Sequence, residues 1–457
     1  MNTFVPAMTS PFSLVARFAL GGALAIAACG SDNKTMQMSG TGGSSGGATG
    51  LGGITSMGGA SGGPGGNGFP AGPLDLCAGL IQDKAAHPMT TVAQPPLGGT
   101  ATDAEFGTSF RRITQAPSSG QAAIIPMYST VSAWNADESR LILYNTTNGG
   151  QHELYDGKTY AHIRTLSDLH PPDLEQIYWH TTDPDVLFLV EQKKFTRYHI
   201  ASAQKEVLTT FDFCAGGAGG GSDPMFSSFD SNRFGLNCDG SQVFIYEVSS
   251  NSVLGRISSS ENPGQVAPSG RLAYMSDSGN VTDANLVVQR KLDLKEPYGH
   301  ASMSRLPTGE DTWNGQVFDA GPMGDDDIGN LVVFNLLTGT SKTVIGPKTG
   351  YPYPPDSHIS AMAYRQPGWI VVSTFGNHSG AGLLDMEILV ADTVSNKVCR
   401  VGRHRAWGKS NTMAPEPYWA EPHAVPSPSG TRIAFASDWG NGATIDTYVL
   451  ELPSYHP

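Results

Sequence analysis

The sequence predicts an all-β fold, a seven-bladed β-propeller preceded by a signal peptide and a disordered tether rich in glycine and serine. Turn-forming residues are abundant, charged residues are scarce, and one turn-and-strand unit recurs along the chain. The 457 residues include 56 Gly and 31 Pro, and only 15% are charged. This composition is typical of short strands joined by tight turns and disfavours long amphipathic helices or coiled coils.

The N-terminal residues predict an exported protein with a lipid anchor. Arg17 precedes an uncharged apolar run that ends in Ile26-Ala27-Ala28-Cys29. The run is shorter than the roughly 20 residues needed to cross a bilayer. Small residues before a cysteine resemble a bacterial lipoprotein signal, which would occupy residues 1–28 and leave Cys29 as the lipidation site. An ordinary secretory signal with a chance cysteine is the alternative.

The rest of the chain divides by composition. Residues 29–74 form a Gly/Ser-rich linker with too few large apolar side chains to fold. Residues 75–457 form the propeller domain. The expected location is the bacterial cell envelope, with the body in the periplasm or at the cell surface. Gly30 after the cysteine is compatible with sorting of the lipid anchor to the outer membrane.

Cysteine usage fits an exported protein. Apart from Cys29 there are four cysteines, an even number that suits an oxidising compartment. Cys214 and Cys238 flank a glycine-rich loop and are the favoured disulfide pair. A Cys77–Cys399 pair and four free thiols are the alternatives.

The repeated unit is a turn that leads into a strand of alternating apolar residues. Its clearest copies span residues 267–277 and 427–438, which both pass from a Pro-Ser-Gly turn to a terminal Ser-Asp. Five further turns follow the same plan, at residues 135–137, 183–185, 238–240, 307–309 and 366–368. Small sheets of this kind cannot bury both faces alone, and packing seven of them around an axis leaves few exposed edges. Two stacked β-sandwiches are the alternative.

The ring also has a predicted closure. Residues 108–114 form an isolated strand before the first full unit, and residues 447–452 end the last unit. Pairing of the first strand into the final blade would lock the ring.

The repeats resemble the TolB-like and WD40-like propellers of bacterial envelopes. Residues 110–114, Tyr128-Ser129 and residues 134–137 are similar to the oligogalacturonate-lyase branch of propellers. The resemblance implies a propeller fold, whereas activity has to be argued from the site, since propellers serve many functions.

Three consecutive units carry a histidine in the predicted innermost strand, which precedes the turn and approaches the central channel: His300, His358 and His423. Imidazoles from adjacent blades could bind one divalent metal ion, with Glu421 or Gln176 as an oxygen ligand. The resemblance implies a His/Gln metal site in the channel as well. Mn, Ca and Zn are not distinguished by the sequence. Ordinary hydrogen-bonded channel lining is the alternative.

If the chain were a lyase, it would remove a proton next to the carboxylate of a uronate, and a cation would stabilise the developing enolate. His170 and His378 lie in loops bounded by Pro or Gly and are the candidate bases. Arg365 is the candidate cation where a metal does not fill that role. Trp407 and Trp419 could stack on a sugar ring.

The leading functional prediction is a lipid-anchored propeller that binds a glycan or an envelope protein at its channel face. A metal-assisted polysaccharide lyase acting on uronate oligosaccharides and a TolB-like envelope scaffold are the alternatives. The formal net charge of −13 argues against nucleic-acid binding. The expected state is a monomer held at the membrane by its N-terminal lipid. Residues 324–330 form an acidic segment that could bind Ca²⁺, but they lack the ligand spacing of an EF-hand.

Overall fold

A computed structural model describes residues 73–118, 122–220, 226–292, 300–317, 328–408 and 417–456. The signal peptide at 1–28, Cys29, residues 30–72 of the linker and Asp325 to Asp327 of the acidic segment lie outside the described residues. The lipid anchor, the tether and the calcium-binding alternative therefore stay predictions.

Seven antiparallel sheets, one per blade, confirm the predicted all-β, seven-bladed propeller. Short 3₁₀ turns occur at Thr147–Gly149, Pro347–Thr349 and Pro417–Ala420. Among the residues that the structure describes, there is no apolar helix of membrane-spanning length.

Blades 1 to 3 each contain four consecutive strands, given from the innermost to the outermost. In blade 1 these are β3 (Ile124–Ile125), β4 (Arg140–Asn145), β5 (Gln151–Asp156) and β6 (His162–Thr165). In blade 2 they are β7 (Ile177–Trp179), β8 (Val186–Glu191), β9 (Lys194–His199) and β10 (Gln204–Thr210). In blade 3 they are β11 (Phe226–Ser227), β12 (Arg233–Asn237), β13 (Gln242–Glu247) and β14 (Ser252–Ser258).

Blades 4 to 6 repeat this order. In blade 4 the strands are β15 (Gln265–Val266), β16 (Leu272–Met275), β17 (Asn280–Asp283) and β18 (Val288–Lys291). In blade 5 they are β19 (Ser302–Arg305), β20 (Asp311–Gln316), β21 (Leu331–Asn335) and β22 (Ser341–Ile345). In blade 6 they are β23 (Ser357–Ser360), β24 (Trp369–Thr374), β25 (Glu387–Asp392) and β26 (Lys397–Arg403).

Blade 7 closes the ring with strands from both ends of the described chain. It contains β27 (Val425–Pro426), β28 (Arg432–Ser437) and β29 (Asp446–Glu451), followed by β2 (Ser109–Arg112) and β1 (Thr100–Thr102). Phe110 pairs with Leu450 and Arg111 with Val449, as the predicted closure requires. Strand β1 extends this clasp by one strand that the sequence analysis did not anticipate.

Six of the seven predicted turns lead into the second strand of a blade, and the turn at 238–240 differs. This turn joins the second and third strands of blade 3. The prediction misplaced it because the sequence gives no clear signal for β12, the strand before it. This strand begins with a charged residue and contains Gly235, so its apolar alternation is weak.

The blades are held together by apolar side chains between neighbouring sheets. In β8, Leu187 and Leu189 pack toward blade 1, whereas Val186, Phe188 and Val190 pack toward blade 3. Alternate side chains of a strand point to opposite faces, and both faces of this sheet are covered. The five apolar residues of this strand are therefore all buried.

Two disulfides occur among the residues that the structure describes. Cys214 is bonded to Cys238, which links the segment after β10 of blade 2 to the second strand region of blade 3. Cys77 is bonded to Cys399, so the segment before the clasp is tied to the outermost strand of blade 6. The favoured pair and the alternative pair of the sequence analysis thus occur together.

Strand direction fixes which loops share an end of the ring. Each innermost strand begins where the previous blade ends, and successive strands are antiparallel. The segments before the innermost strands therefore lie at the same end as the hairpins between second and third strands. We call this the leading end and the opposite one the far end.

Candidate functional site

Two imidazoles and one carboxylate meet at the leading end, and we call His358, Glu421 and His423 the donor group. The Nε2 atoms of His358 and His423 each lie 3.6 Å from Glu421 Oε2. The ligand atoms of all three residues lie within 4.8 Å of one another. His358 and His423 are fully buried and Glu421 is 2% exposed. Neighbouring blades thus supply a compact set of nitrogen and oxygen donors.

The donor group is brought together by the starts of two innermost strands. His358 is the second residue of β23 in blade 6, and His423 lies just before β27 in blade 7. The backbone of His423 has a φ of 39°, a conformation that residues other than glycine seldom adopt. Such backbone strain is often retained at functional sites, where the surrounding structure holds it in place.

His300 lies beside the donor group and is not part of it. Its ring stacks on that of His358 with the centroids 4.2 Å apart. Its Nδ1 atom lies 3.0 Å from the carbonyl oxygen of Ser357 and 3.2 Å from Asp356 Oδ1. The structure therefore brings the three predicted imidazoles together but gives His300 a supporting position.

Gln176 has a different position from the one predicted for a metal ligand. Its side chain is buried, and its Oε1 atom accepts a hydrogen bond of 2.8 Å from the backbone N–H of Gly220. The amide oxygen thus fixes the glycine-rich segment after blade 2. Glu421, the other predicted oxygen ligand, is the one that faces the imidazoles.

Arg365 lies at the far end. It follows the innermost strand β23, whereas His358 lies at the start of that strand. Its guanidinium donates to the carbonyl oxygen of Ala136, in the corresponding turn of blade 1. The strand between them separates Arg365 from the donor group, so the structure does not support it as the cation of that group.

The two predicted bases lie in leading-end loops but outside the donor group. His170 is exposed, and its backbone N–H donates to Glu191 at 2.9 Å. His378 is half-buried between β24 and β25, with its ring stacked on Trp407 at 5.7 Å. Neither imidazole ring is held against His358 or His423 in the described contacts.

Aromatic rings surround the donor group. The ring of Tyr128 lies 5.5 Å from that of His358 and 5.1 Å from that of His423. Tyr418 lies 4.9 Å from the His423 ring, and Phe375 lies 5.4 Å from the His358 ring. No sequence pattern singles out these side chains, although Tyr418 lies next to Trp419 and three residues before Glu421.

Burial controls the proton chemistry around the donor group. It raises the pKa of Tyr418 well above the usual value of a phenol, and the charges of Glu175, Glu421 and Asp173 add to the increase. Tyr418 therefore stays protonated near neutral pH. Burial also raises the pKa of Asp173, which precedes β7 in blade 2. Carboxylates with a raised pKa are frequent among catalytic bases.

The donor group fits a divalent transition metal. Bonds of about 2.1 Å at bond angles near 90–110° place neighbouring ligand atoms about 3.0–3.4 Å apart. The distance from each histidine Nε2 to Glu421 Oε2 is 3.6 Å, only slightly longer than this range. Two imidazoles suit Mn, Fe or Zn better than Ca²⁺, which prefers oxygen ligands.

The fold is similar to that of two oligogalacturonate lyases of known structure. The lyase from Vibrio parahaemolyticus superposes with a TM-score of 0.55 and 13% sequence identity, over 78% of this chain and 96% of that chain. An oligogalacturonate lyase in complex with manganese superposes with a TM-score of 0.56 and 14% identity, over 79% of this chain and 97% of that chain. The predicted resemblance to this branch is confirmed at the level of the fold.

No protein-family model matches the sequence, and no curated protein sequence matches it. At 13–14% identity, the two structural similarities establish the shared fold alone.

Proposed function

We propose that this chain is a metal-dependent polysaccharide lyase whose reaction centre is the donor group at the leading end of the propeller. The observation that carries this proposal is the buried meeting of His358, Glu421 and His423. The fold shared with two oligogalacturonate lyases, one of them in complex with manganese, supports the same reaction class.

In this proposal His358 and His423 would hold the metal through their imidazoles, and Glu421 would hold it through its carboxylate. A bound divalent cation would stabilise the negative charge that develops on the uronate carbonyl group. The surrounding residues exclude water, because the three ligands are almost fully buried. His300 positions the ring of His358 by stacking on it.

The proton is handled by other side chains. Asp173 is the proposed base, because its raised pKa makes its carboxylate a stronger proton acceptor. Tyr418 stays protonated and can donate a hydrogen bond or a proton to the leaving oxygen. The half-buried Trp419, 5.5 Å from the Tyr418 ring, provides an aromatic surface for a sugar ring.

Metal content and lyase activity test this proposal together. Purified protein should contain about one divalent transition-metal ion per chain, and His358→Ala and His423→Ala should lose both the ion and the activity. His170→Ala is the matched control, because it removes an exposed imidazole from the same end of the ring. The activity is read as the ultraviolet absorbance of the new conjugated double bond. A fully active metal-free protein would contradict the proposal.

A second candidate is a glycan-binding or protein-binding propeller without catalysis. It is favoured by the positions of His170, His378 and Arg365, since these predicted catalytic residues lie outside the donor group. The two candidate functions predict different effects of the substitution Asp173→Asn. This variant should keep metal and saccharide binding in either case, but an activity loss of about 100-fold or more is expected of a base.

We also propose that the protein is anchored in the cell envelope through Cys29, as the sequence predicts. Metabolic labelling with a radioactive fatty acid tests this in cells. The label should be present in the natural protein and absent from Cys29→Ser. Equal labelling of both would contradict the anchor.

A further inference from the structure

The leading end of the propeller is strongly acidic. Among the described residues, the segments before the innermost strands and the hairpins between second and third strands contain eleven Asp and Glu residues and three Lys and Arg residues. At the far end, the turns between first and second strands and between third and fourth strands contain six acidic and three basic residues, and the β1–β2 turn adds Asp103 and Glu105. The described part of the leading end is thus more acidic than the described part of the far end.

Several of these carboxylates lie close to the donor group. Asp356 Oδ1 lies 3.2 Å from His300 Nδ1, and His300 stacks directly on His358. Glu175 and Asp173 are near enough to Tyr418 to raise its pKa. Asp356 is exposed, with 52% of its side chain accessible to solvent. A ligand carboxylate bound beside these groups would be repelled by them, and salt should screen part of that repulsion.

The three basic residues that the structure describes at the leading end do not offset this charge at the donor group. Arg405 is buried, and its Nη1 atom lies 3.1 Å from Asp103. Lys193 lies in the β8–β9 hairpin of blade 2, and Lys348 lies in the 3₁₀ turn after blade 5. None of them provides the carboxylate clamp that a polyanionic chain would need.

We infer that the substrate of this site is a neutral uronan, a polysaccharide whose uronic acid groups are masked as esters, and not a free polyuronate. This inference rests on the proposed function and specifies its substrate. An ester keeps the acidic hydrogen and the carbonyl group that elimination needs, and it carries no charge to be repelled by Asp173, Glu175 and Asp356.

The chemistry balances without any further reactant. The base takes the proton from C5, the C5–H electron pair becomes the C4=C5 double bond, and the C4–O bond to the next sugar breaks. The departing oxygen takes a proton and leaves as a hydroxyl group. Proton removal beside a neutral ester is easier than beside a carboxylate, because no adjacent negative charge opposes the developing carbanion.

The direct test compares methyl-esterified and free-acid oligogalacturonides of equal length with the metal-loaded protein. The ester should be cleaved at least about tenfold more efficiently, which corresponds to about 1.4 kcal/mol. Added salt should narrow the difference by screening the free acid. Equal or faster cleavage of the free acid would overturn the inference and leave the proposed function intact.

Charge variants test the cause of the preference. Glu175→Gln combined with Asp356→Asn should improve use of the free acid and narrow the preference for the ester. Asp183→Asn combined with Asp230→Asn is the matched control, because it removes two exposed carboxylates from far-end turns. If the two double variants changed the preference for the ester equally, a local electrostatic origin of that preference would be contradicted.

A measurement without any saccharide separates this inference from the proposed function. If neither substrate is cleaved, the proposed function fails, and the charge at the site can still be read from fluorescence quenching. The Trp419 component is taken as the difference between the natural protein and Trp419→Phe, and each quenching constant is divided by that of free tryptophan. The resulting ratio should be higher for caesium ion than for iodide. A higher ratio for iodide would show that the leading end is not acidic around Trp419 and would overturn the inference.

Discussion

Glu421 supplies the charge of the donor group. Glu421→Gln keeps the length and shape of the side chain but replaces the carboxylate with a neutral amide. We expect the affinity for Mn²⁺, measured by titration calorimetry, to fall at least about tenfold. Glu310→Gln, in a far-end turn, is the matched control. An unchanged affinity in Glu421→Gln would show that the carboxylate is not a ligand.

His404 provides a pH-dependent contribution to stability. Its Nε2–H donates to the carbonyl oxygen of Thr374 at 2.7 Å, and its Nδ1 accepts from the N–H of Ala406 at 2.9 Å. Burial, the largest cause, lowers the pKa of His404 to about 4. The neutral ring is therefore the form that fits the folded protein.

The sign of this pH dependence follows from the two states. In the unfolded chain, histidine takes up a proton below about pH 6.5, whereas His404 in the folded protein does so only near pH 4. The free energy of unfolding should therefore decrease as the pH is lowered from about 6.5 to about 4, by about 3 kcal/mol at most. Urea unfolding at several pH values measures this. His404→Asn should lack this part of the pH dependence, and identical profiles would contradict the assignment.

At the residue scale, the sequence predicts the donors better than the reacting groups. His358 and His423 could be found because each precedes a predicted turn, in the part of a blade expected to approach the central channel. Asp173 and Tyr418 could not be selected, since their properties depend on burial and on neighbours from other blades. Gln176 has the right position along the chain, but its amide oxygen accepts from Gly220.

Among the structural elements, the seam between blades 7 and 1 contains a buried ion pair. Arg432 of β28 donates to Glu138 of blade 1 at 2.8 Å, with side-chain exposures of 1% and 2%. The guanidinium also contacts the Trp134 and Tyr455 rings. One side chain thus joins the last blade to the first.

Breaking this pair should weaken the seam. Arg432→Met leaves the Glu138 carboxylate buried without its guanidinium, and the free energy of unfolding should fall by about 3–5 kcal/mol. Adding Glu138→Gln should restore part of the loss, because the uncompensated charge is then removed. Denaturant unfolding of Arg432→Met, Glu138→Gln and the double variant measures the coupling. Additive effects of the two substitutions would argue against a direct interaction.

The strands themselves differ in how far the sequence predicts them. The second strands are long and alternate in hydrophobicity, and six of the seven predicted turns lead into one. Innermost strands such as β3, β15 and β27 contain two residues each, too few for a periodic pattern. Their positions depend on the packing of whole sheets around the axis.

At the scale of the whole molecule, the clasp in blade 7 connects the two ends of the described chain. Phe110 of β2 is 1% exposed and lies 5.2 Å from the Trp439 ring. It packs in the cluster shared by blades 6 and 7, together with Leu76 and Cys77 of the preceding segment. The clasp therefore combines strand pairing with core packing.

Phe110→Ala should destabilise the ring at its closure. We expect the free energy of unfolding to fall by about 3–5 kcal/mol, and amide hydrogen exchange to accelerate first in blades 7 and 1. Phe213→Ala, in the partly buried edge of the cluster between blades 2 and 3, is the control and should act locally. Exchange that stays unchanged in blades 7 and 1 would contradict the closing role of the clasp.

Anomalous X-ray scattering from crystals grown with Mn²⁺ will show whether the starts of two innermost strands build a metal site. We expect one strong peak at about 2.0–2.3 Å from the Nε2 atoms of His358 and His423 and from a carboxylate oxygen of Glu421. A peak elsewhere, or an ordered donor group with no peak at saturating Mn²⁺, would contradict the claim.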